Sequence, residues 1–193
     1  MSFLSRKAKI FFVESSGTIP PCPSCHGKMH YRDSRKRIMR KEGGKVCHLM
    51  IRRFRCEECR HYHNELPDCL IPYKHYETEV ISGVIDGTVT ASDLDSEDYP
   101  CLMTMLRWIR WFRENLSNVE GYLRKVCSHL GQTNEIILSG VSLLRRIYNT
   151  YPDWLERIIR IIYNSGGYLV SAADPPCTCF VLNGNPCPGI VAP

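Results

Sequence analysis

The chain has 193 residues, 44% of them hydrophobic, with 25 Lys and Arg against 20 Asp and Glu for a net charge of +5. That length and apolar content exclude wholesale disorder and allow one ordinary domain or two small ones. Residues 1–76 hold 16 Lys and Arg against 7 Asp and Glu, whereas the other 117 hold 9 against 13, so the positive excess belongs to one segment, an arrangement that suits a polyanion partner.

At the N-terminus, "MSFLSRKAKIFFVESSG" has one short apolar run, "IFFV", and no small-residue cleavage pattern after it, so no signal peptide is read. No stretch reaches the length of a membrane span. The expectation is a soluble cytoplasmic protein that does not engage a membrane. Disulfides are rare in that compartment, so 11 cysteines point first to metal binding.

Residues 10–72 read as short strands punctuated by turns: "KIFFV" is β-prone, "CHLMIRRFR" is extended, and "KEGGK" turns the chain between "SRKRIMR" and that strand. Residues Tyr73 to Ile85 read as a helix ending at Gly87, followed by a polar, acidic connector, "TASDLDSEDYP". From Cys101 to about Cys127 the pattern is strongly helical, with Leu102, Met105, Ile109 and Phe112 on one stripe. Two more helices are expected over 134–149 and 153–164, the second turning Leu155, Ile158, Ile159 and Ile162 toward a core. Beyond Ser165, Gly and Pro break any regular pattern. The expected fold is α+β: a small zinc ribbon of β-hairpins over 1–72, an all-α, helix-turn-helix-like domain over 73–165, and an irregular tail over 166–193.

Cys22 and Cys25 in "PPCPSCHGK" and Cys56 and Cys59 in "RCEECRH" form two C-x2-C pairs across a thirty-residue spacer. Two-residue spacing lets both thiolates of a pair face one point, and tetrahedral zinc takes four such ligands at about 2.3 Å. The spacer is the length a hairpin needs to return to its start. One structural Zn2+ ion held by Cys22, Cys25, Cys56 and Cys59 is therefore expected, with much of the small module's folding free energy coming from the metal. Two alternatives stand beside it: free or redox-active thiols, and replacement of one cysteine by His26, His61 or His63. Four ligands leave no open coordination position, so no catalytic role is expected. Cys47, Cys101 and Cys127 read as small buried hydrophobes. Cys69 has no comparable pairing, and the tail cysteines Cys177, Cys179 and Cys187 supply only three ligands.

In the expected hairpin, Arg35, Lys36 and Arg37 on one strand lie near Arg52, Arg53 and Arg55 on the other, with Arg53 and Arg55 on one face and Arg52 on the opposite one. These would contact phosphates; the alternative is a solvated strand edge guarded by charge. On the helix from Cys101, Thr104, Arg107, Arg110 and Trp111 fall on the side away from the apolar stripe. This resembles the second helix of a helix-turn-helix, in which arginine reads guanine edges, although the connector is longer than the usual turn. Trp108 and Trp111 read as packing residues.

"CPSC", the basic hairpin, "RRFRCEECRHYHNELPDCLIPYKHYETEVI" and "TMLRWIRWF" together resemble the N-terminal zinc-ribbon and helix-turn-helix region of bacterial insertion-sequence transposases, and short stand-alone proteins of unknown function that share it. The resemblance covers roughly 18–116 and implies zinc on Cys22, Cys25, Cys56 and Cys59 and a recognition helix over 101–113. Transposases of that kind continue into a catalytic domain whose acidic residues hold two metal ions. Here Glu120, Glu135, Asp153, Glu156 and Asp174 are scattered with no strand framework to gather them, so no transposase activity is expected. The expected function is zinc-dependent binding of double-stranded DNA by a regulator or accessory factor. The alternative is a zinc-ribbon adaptor that uses its apolar C-terminal helices to bind another protein or a second copy of itself; a thiol enzyme ranks behind both.

Overall fold

Alternating apolar and charged residues on both sides of "KEGGK" give a long two-stranded ribbon, and the other strands add to one of its edges. The computed structural model describes residues 10–12, 19–41, 44–92, 100–130 and 140–170. The fold is α+β: a four-stranded sheet of β1 (Ile10–Phe12), β2 (Met29–Arg40), β3 (Val46–Cys56) and β4 (Tyr62–Asn64), then α1 (Thr78–Asp86), α2 (Leu102–His129), α3 (Leu143–Thr150) and α4 (Trp154–Asn164). Strand β3 is central. Antiparallel β2 takes one edge; on the other, β1 pairs in parallel with His48–Met50 and β4 pairs antiparallel with Arg53–Arg55.

The ribbon buries opposite faces at its two ends. Tyr31 pairs with Phe54 and Asp33 with Arg53, which leaves Arg32 as an extra residue and makes a β-bulge. On one side of the bulge, Met29, Phe54 and Cys56 are buried together; on the other, Met39, Leu49 and Ile51 pack with Leu70 from the opposite face. Because side chains alternate along β3, one strand serves two separate clusters.

Helix α1 ends as expected at Gly87, whose φ of 75° is the left-handed cap and whose N–H reaches the carbonyls of Gly83 and Val84. It starts later than Tyr73 because the ribbon claims the preceding backbone: Arg40 N–H donates to the His75 carbonyl at 2.7 Å, and Glu77 N–H to the Arg40 carbonyl at 2.9 Å. Helix α2 buries Met105, Trp108, Trp111, Phe112, Asn115, Val119 and Leu123. The expected stripe is thus shifted: Leu102 is 53% exposed and Ile109 only partly buried, while the two tryptophans, large enough to dominate the contact, turn inward. Trp111 does not share the exposed side with Arg107 and Arg110. Leu155, Ile158, Ile159 and Ile162 of α4 all reach the core. Of the helix expected over 134–149, the described part begins at Leu143; 131–139 lie outside the described residues, as do 93–99 of the connector and the tail from 171. Among the described residues, no helix is long and apolar enough to cross a membrane.

Two polar groups, buried Asn115 and half-buried Glu120, tie the helices together. Asn115 on α2 exchanges both amide hydrogen bonds with the backbone of Val170, at 2.9 and 3.0 Å, pinning the segment after α4. Glu120 accepts from the N–H groups of Leu143 and Leu144 at 2.9 and 3.1 Å and from the Ser142 hydroxyl at 2.9 Å, so a carboxylate on α2 caps the start of α3. Burial works against its ionisation, but these donors and Arg124 beside it hold the carboxyl below the usual carboxylate range. A folded-state pKa below the unfolded one contributes stability above the ordinary value and loses it as pH falls through the folded value. Glu120→Gln is therefore expected to cost about 1–2 kcal/mol at neutral pH, with the gap from wild type closing as pH drops below the ordinary 4.5, measured by chemical denaturation across that range.

Candidate metal centre

The β2–β3 register builds the centre. Pairing of Met29 with Cys56 sets the turn before β2, which carries Cys22 and Cys25, beside the bend after β3, which carries Cys59. Each cysteine pair closes a tight turn: His26 N–H donates to the Cys22 carbonyl at 2.8 Å and Cys22 N–H to the Gly27 carbonyl at 2.9 Å, while Cys56 N–H reaches the His61 carbonyl at 3.0 Å. The residue after each pair, His26 or Arg60, takes a left-handed φ of 60° or 63°, so the two turns share one backbone shape. Their approach is close enough that a Cβ on Gly27 would sit 2.3 Å from Glu58 Cγ and 3.2 Å from Cys56 Sγ. Any larger residue there would have to displace the Glu58 side chain and crowd the Cys56 sulfur.

Cys22 Sγ is 3.7 Å from Cys59 Sγ, Cys25 Sγ is 3.5 Å from Cys56 Sγ, and all four sulfurs lie within 4.8 Å of one another. Ligands on a tetrahedral ion at about 2.3 Å stand about 3.8 Å apart. The four thiols are therefore placed to hold one metal ion, and an all-thiolate set is typical of zinc. Cys22 and Cys56 are buried and Cys25 is exposed. Burial opposes ionisation of Cys56, but the Cys59 N–H, the Cys25 thiol and the Glu58 N–H donate to it and bring its pKa down to about 7. Cys59 accepts the His61 N–H, yet burial and the crowded thiols of Cys25, Cys56 and Cys22 push it up to about 12. Cys56 thus ionises readily while Cys59 holds its proton. A cation at the centre reverses that penalty.

The four cysteines read from the sequence are those brought together. His26 and His61 are not in the group, and His63 touches it only at Cys22. Cys47 and Cys69 pack beside Met39 in the second ribbon cluster, and Cys127 lies against the helical core. Cys101 is exposed at the start of α2 rather than buried, because the helix turns Met105 and Trp108 inward instead. Cys177, Cys179 and Cys187 lie outside the described residues. The sequence carries no local sign of one further contact: Gly166, with φ of 77°, lies against the first turn, where a Cβ would meet the Pro23 carbonyl oxygen at 2.4 Å.

The basic residues divide sharply. Arg37 is 8% exposed, and its guanidinium donates to the carbonyls of Lys74 at 3.0 Å and Ile71 at 3.5 Å. Arg52 makes a two-point pair with Glu65 at 2.6 and 2.9 Å, and Arg53 makes one with Asp33. Arg55 is partly buried, with its guanidinium 5.5 Å from the Tyr62 ring centroid. Arg110 pairs with Glu114 at 2.7 Å, and half-buried Thr104 contacts the Cys101 thiol at 3.3 Å. Arg35 is half-buried; Lys36 and Arg107 are exposed. None of these three has an ion-pair partner among the described residues.

The family described as a domain of unknown function (DUF6431) matches residues 22–108, from the first cysteine of the cluster into α2. No curated protein and no solved structure matches the chain.

Protein purified under reducing conditions is expected to carry one divalent ion per chain by elemental analysis, with Cys56→Ser losing it. Protons compete for the same sulfurs, so the apparent affinity for the ion should fall steadily as pH is lowered. Gly166→Ala combines an unfavourable φ with a backbone clash on the first turn, and is expected to cost about 2 kcal/mol or more in denaturant unfolding.

Proposed function

We propose that this is a non-catalytic protein that binds double-stranded DNA through a basic surface held in shape by one structural Zn2+ ion on Cys22, Cys25, Cys56 and Cys59. A four-thiolate shell leaves no position for water or substrate, which favours a structural metal over a catalytic one. The resemblance to the recognition region of insertion-sequence transposases supports DNA as the polyanion, as does the concentration of positive charge in residues 1–76.

The observation that carries the reading is a set of exposed basic side chains along one face of β2 and the start of α2, with the exposed Ile38 between Lys36 and Arg40. Beyond the bulge, the outward face of β2 presents Ser34, Lys36 and Arg40. The Arg40 guanidinium lies 5.8 Å from the Tyr76 ring centroid, Tyr76 sits edge-on to Trp108 of α2 at 5.0 Å, and Lys74 Nζ is 4.4 Å from the Trp111 ring centroid. The end of the ribbon therefore meets α2 on the tryptophan side, next to the turn that carries Thr104 and Arg107. Lys36, Arg40 and Arg107 would make phosphate contacts without first breaking an ion pair. Arg52, Arg53 and Arg110 would have to exchange a carboxylate for a phosphate, and Arg37 stays within the fold.

With about three phosphates neutralised, affinity should fall roughly 40-fold between 50 and 200 mM salt. Fluorescence anisotropy on a random duplex pool tests this, with the double substitution Lys36→Glu and Arg40→Glu expected to weaken binding to every sequence. Arg107→Ala should reduce discrimination between selected sites by about 1–3 kcal/mol if that residue reads a base. A protein adaptor is the second reading, favoured by Leu102, Met103 and Leu106, which stand 47–59% exposed on the first turns of α2. Binding that survives high salt but is lost in Leu106→Glu would select it.

A further inference from the structure

We propose that His63 belongs to the metal centre as a hydrogen-bond donor and not as a ligand: its Nε2–H holds the Cys22 thiolate and thereby strengthens the grip of the four sulfurs on the ion. This rests on the reading that the four cysteines bind metal. His63 Nε2 lies 3.3 Å from Cys22 Sγ, yet His63 is not among the donors that all fall within 4.8 Å of one another. A ligand must face the centre of the cluster, near all its members. His63 instead meets one corner from outside.

The need for a donor at that corner follows from the other sulfurs. Cys56 receives the N–H groups of Cys59 and Glu58, and Cys59 receives that of His61. Cys22 is fully buried, where water cannot solvate a thiolate, and its own N–H is spent on the Gly27 carbonyl. Four thiolates on a divalent cation carry a net charge of −2, so each donated hydrogen bond withdraws charge from a crowded, poorly solvated centre. Strand β4 fixes the imidazole for this purpose. Its three residues pair with β3 so that His63 lies opposite Phe54, the ring that packs beside Cys22, which sets the partly buried imidazole next to that sulfur. Donation requires the proton on Nε2, leaving Nδ1 bare.

The test uses the full chain loaded with Zn2+ or Co2+. In the Zn2+ form, 15N NMR of the His63 ring is expected to find a proton on Nε2; a metal-bound, unprotonated Nε2 would show that His63 is a ligand and end the proposal. The Co2+ form should show the charge-transfer intensity of four thiolates in wild type and in His63→Phe alike, with a tetrahedral spectrum confirming that the variant is folded at the site. Binding should weaken about 10- to 100-fold in His63→Phe, with faster alkylation of Cys22, and should partly recover in His63→Gln, which keeps an N–H donor. Equal affinity in wild type and both variants refutes the donor role while leaving the four-cysteine centre intact. No thiolate–Co2+ band in wild type refutes the centre itself, and His63 with it.

Discussion

The register between β2 and β3 governs everything else in the front half of this protein. Pairing is long, and the four cysteines gather at one end of it, so a slip of one residue would turn Phe54 and Cys56 to the opposite face and separate the two cysteine pairs. The bulge at Arg32 makes the correct register usable at both ends. Without the extra residue, Met29 would leave the face of Phe54, or Arg37 and Met39 would leave that of Leu49 and Ile51. Among the described residues, the apolar cluster around the cysteines is Cys22, Met29, Phe54 and Cys56, with Cys59 at its margin. A cluster that small cannot offset the entropy of ordering two turns and a hairpin end. Bonds from the four sulfurs to a metal ion would supply what the packing lacks.

The other end of the ribbon is secured by different means. Arg37 is carried under the segment 71–74, where backbone carbonyls satisfy its guanidinium, and Lys41 pairs with Glu77 at 3.0 Å. With Arg40 bonded on both sides to the backbone ahead of α1, the ribbon is continuous with the helices rather than strung from them. Gly166 closes a second connection, bringing the end of α4 onto the turn that holds Cys22 and Cys25. Ordering of the cysteine turns and docking of the helical part are thus coupled through one backbone contact. An ion bound at the cysteines would therefore also steady the turn that Gly166 lies against.

What can be read from the sequence is what depends on local spacing. The cysteine pairs, the ribbon with its glycine turn, the Gly87 cap and the inward residues of α4 all follow from patterns a few residues long. The stripe of α2 is harder, because Leu102/Met105/Ile109/Phe112 and Met105/Trp108/Phe112/Asn115 both satisfy three- and four-residue steps. Tertiary packing of Tyr76 on Trp108 and Trp154 on Phe112 selects the second. His63 and Gly166 are out of reach from sequence, since each matters through a contact that register or chain return creates. Glu120 is similar: its capping partners on α3 lie 22–24 residues away.

The arginines show why charge counting identifies a field but not a contact. Asp33 and Glu65 lie 20 and 13 residues from the arginines they hold, distances at which sequence proximity carries no information about pairing. These pairs do not alter the net charge of the segment, so the long-range attraction it exerts on a polyanion survives. They do alter which side chains can meet that polyanion at little cost. A two-point arginine–carboxylate pair must be broken or shared before the arginine can bind phosphate, whereas an exposed lysine on an open strand face loses only water. Steering by the whole segment and contact by a few unpaired residues are therefore separate properties of the same sequence. If DNA is the partner, salt should act on the first through screening and on both through counterion release, while substitution at Lys36 or Arg40 acts mainly on the second.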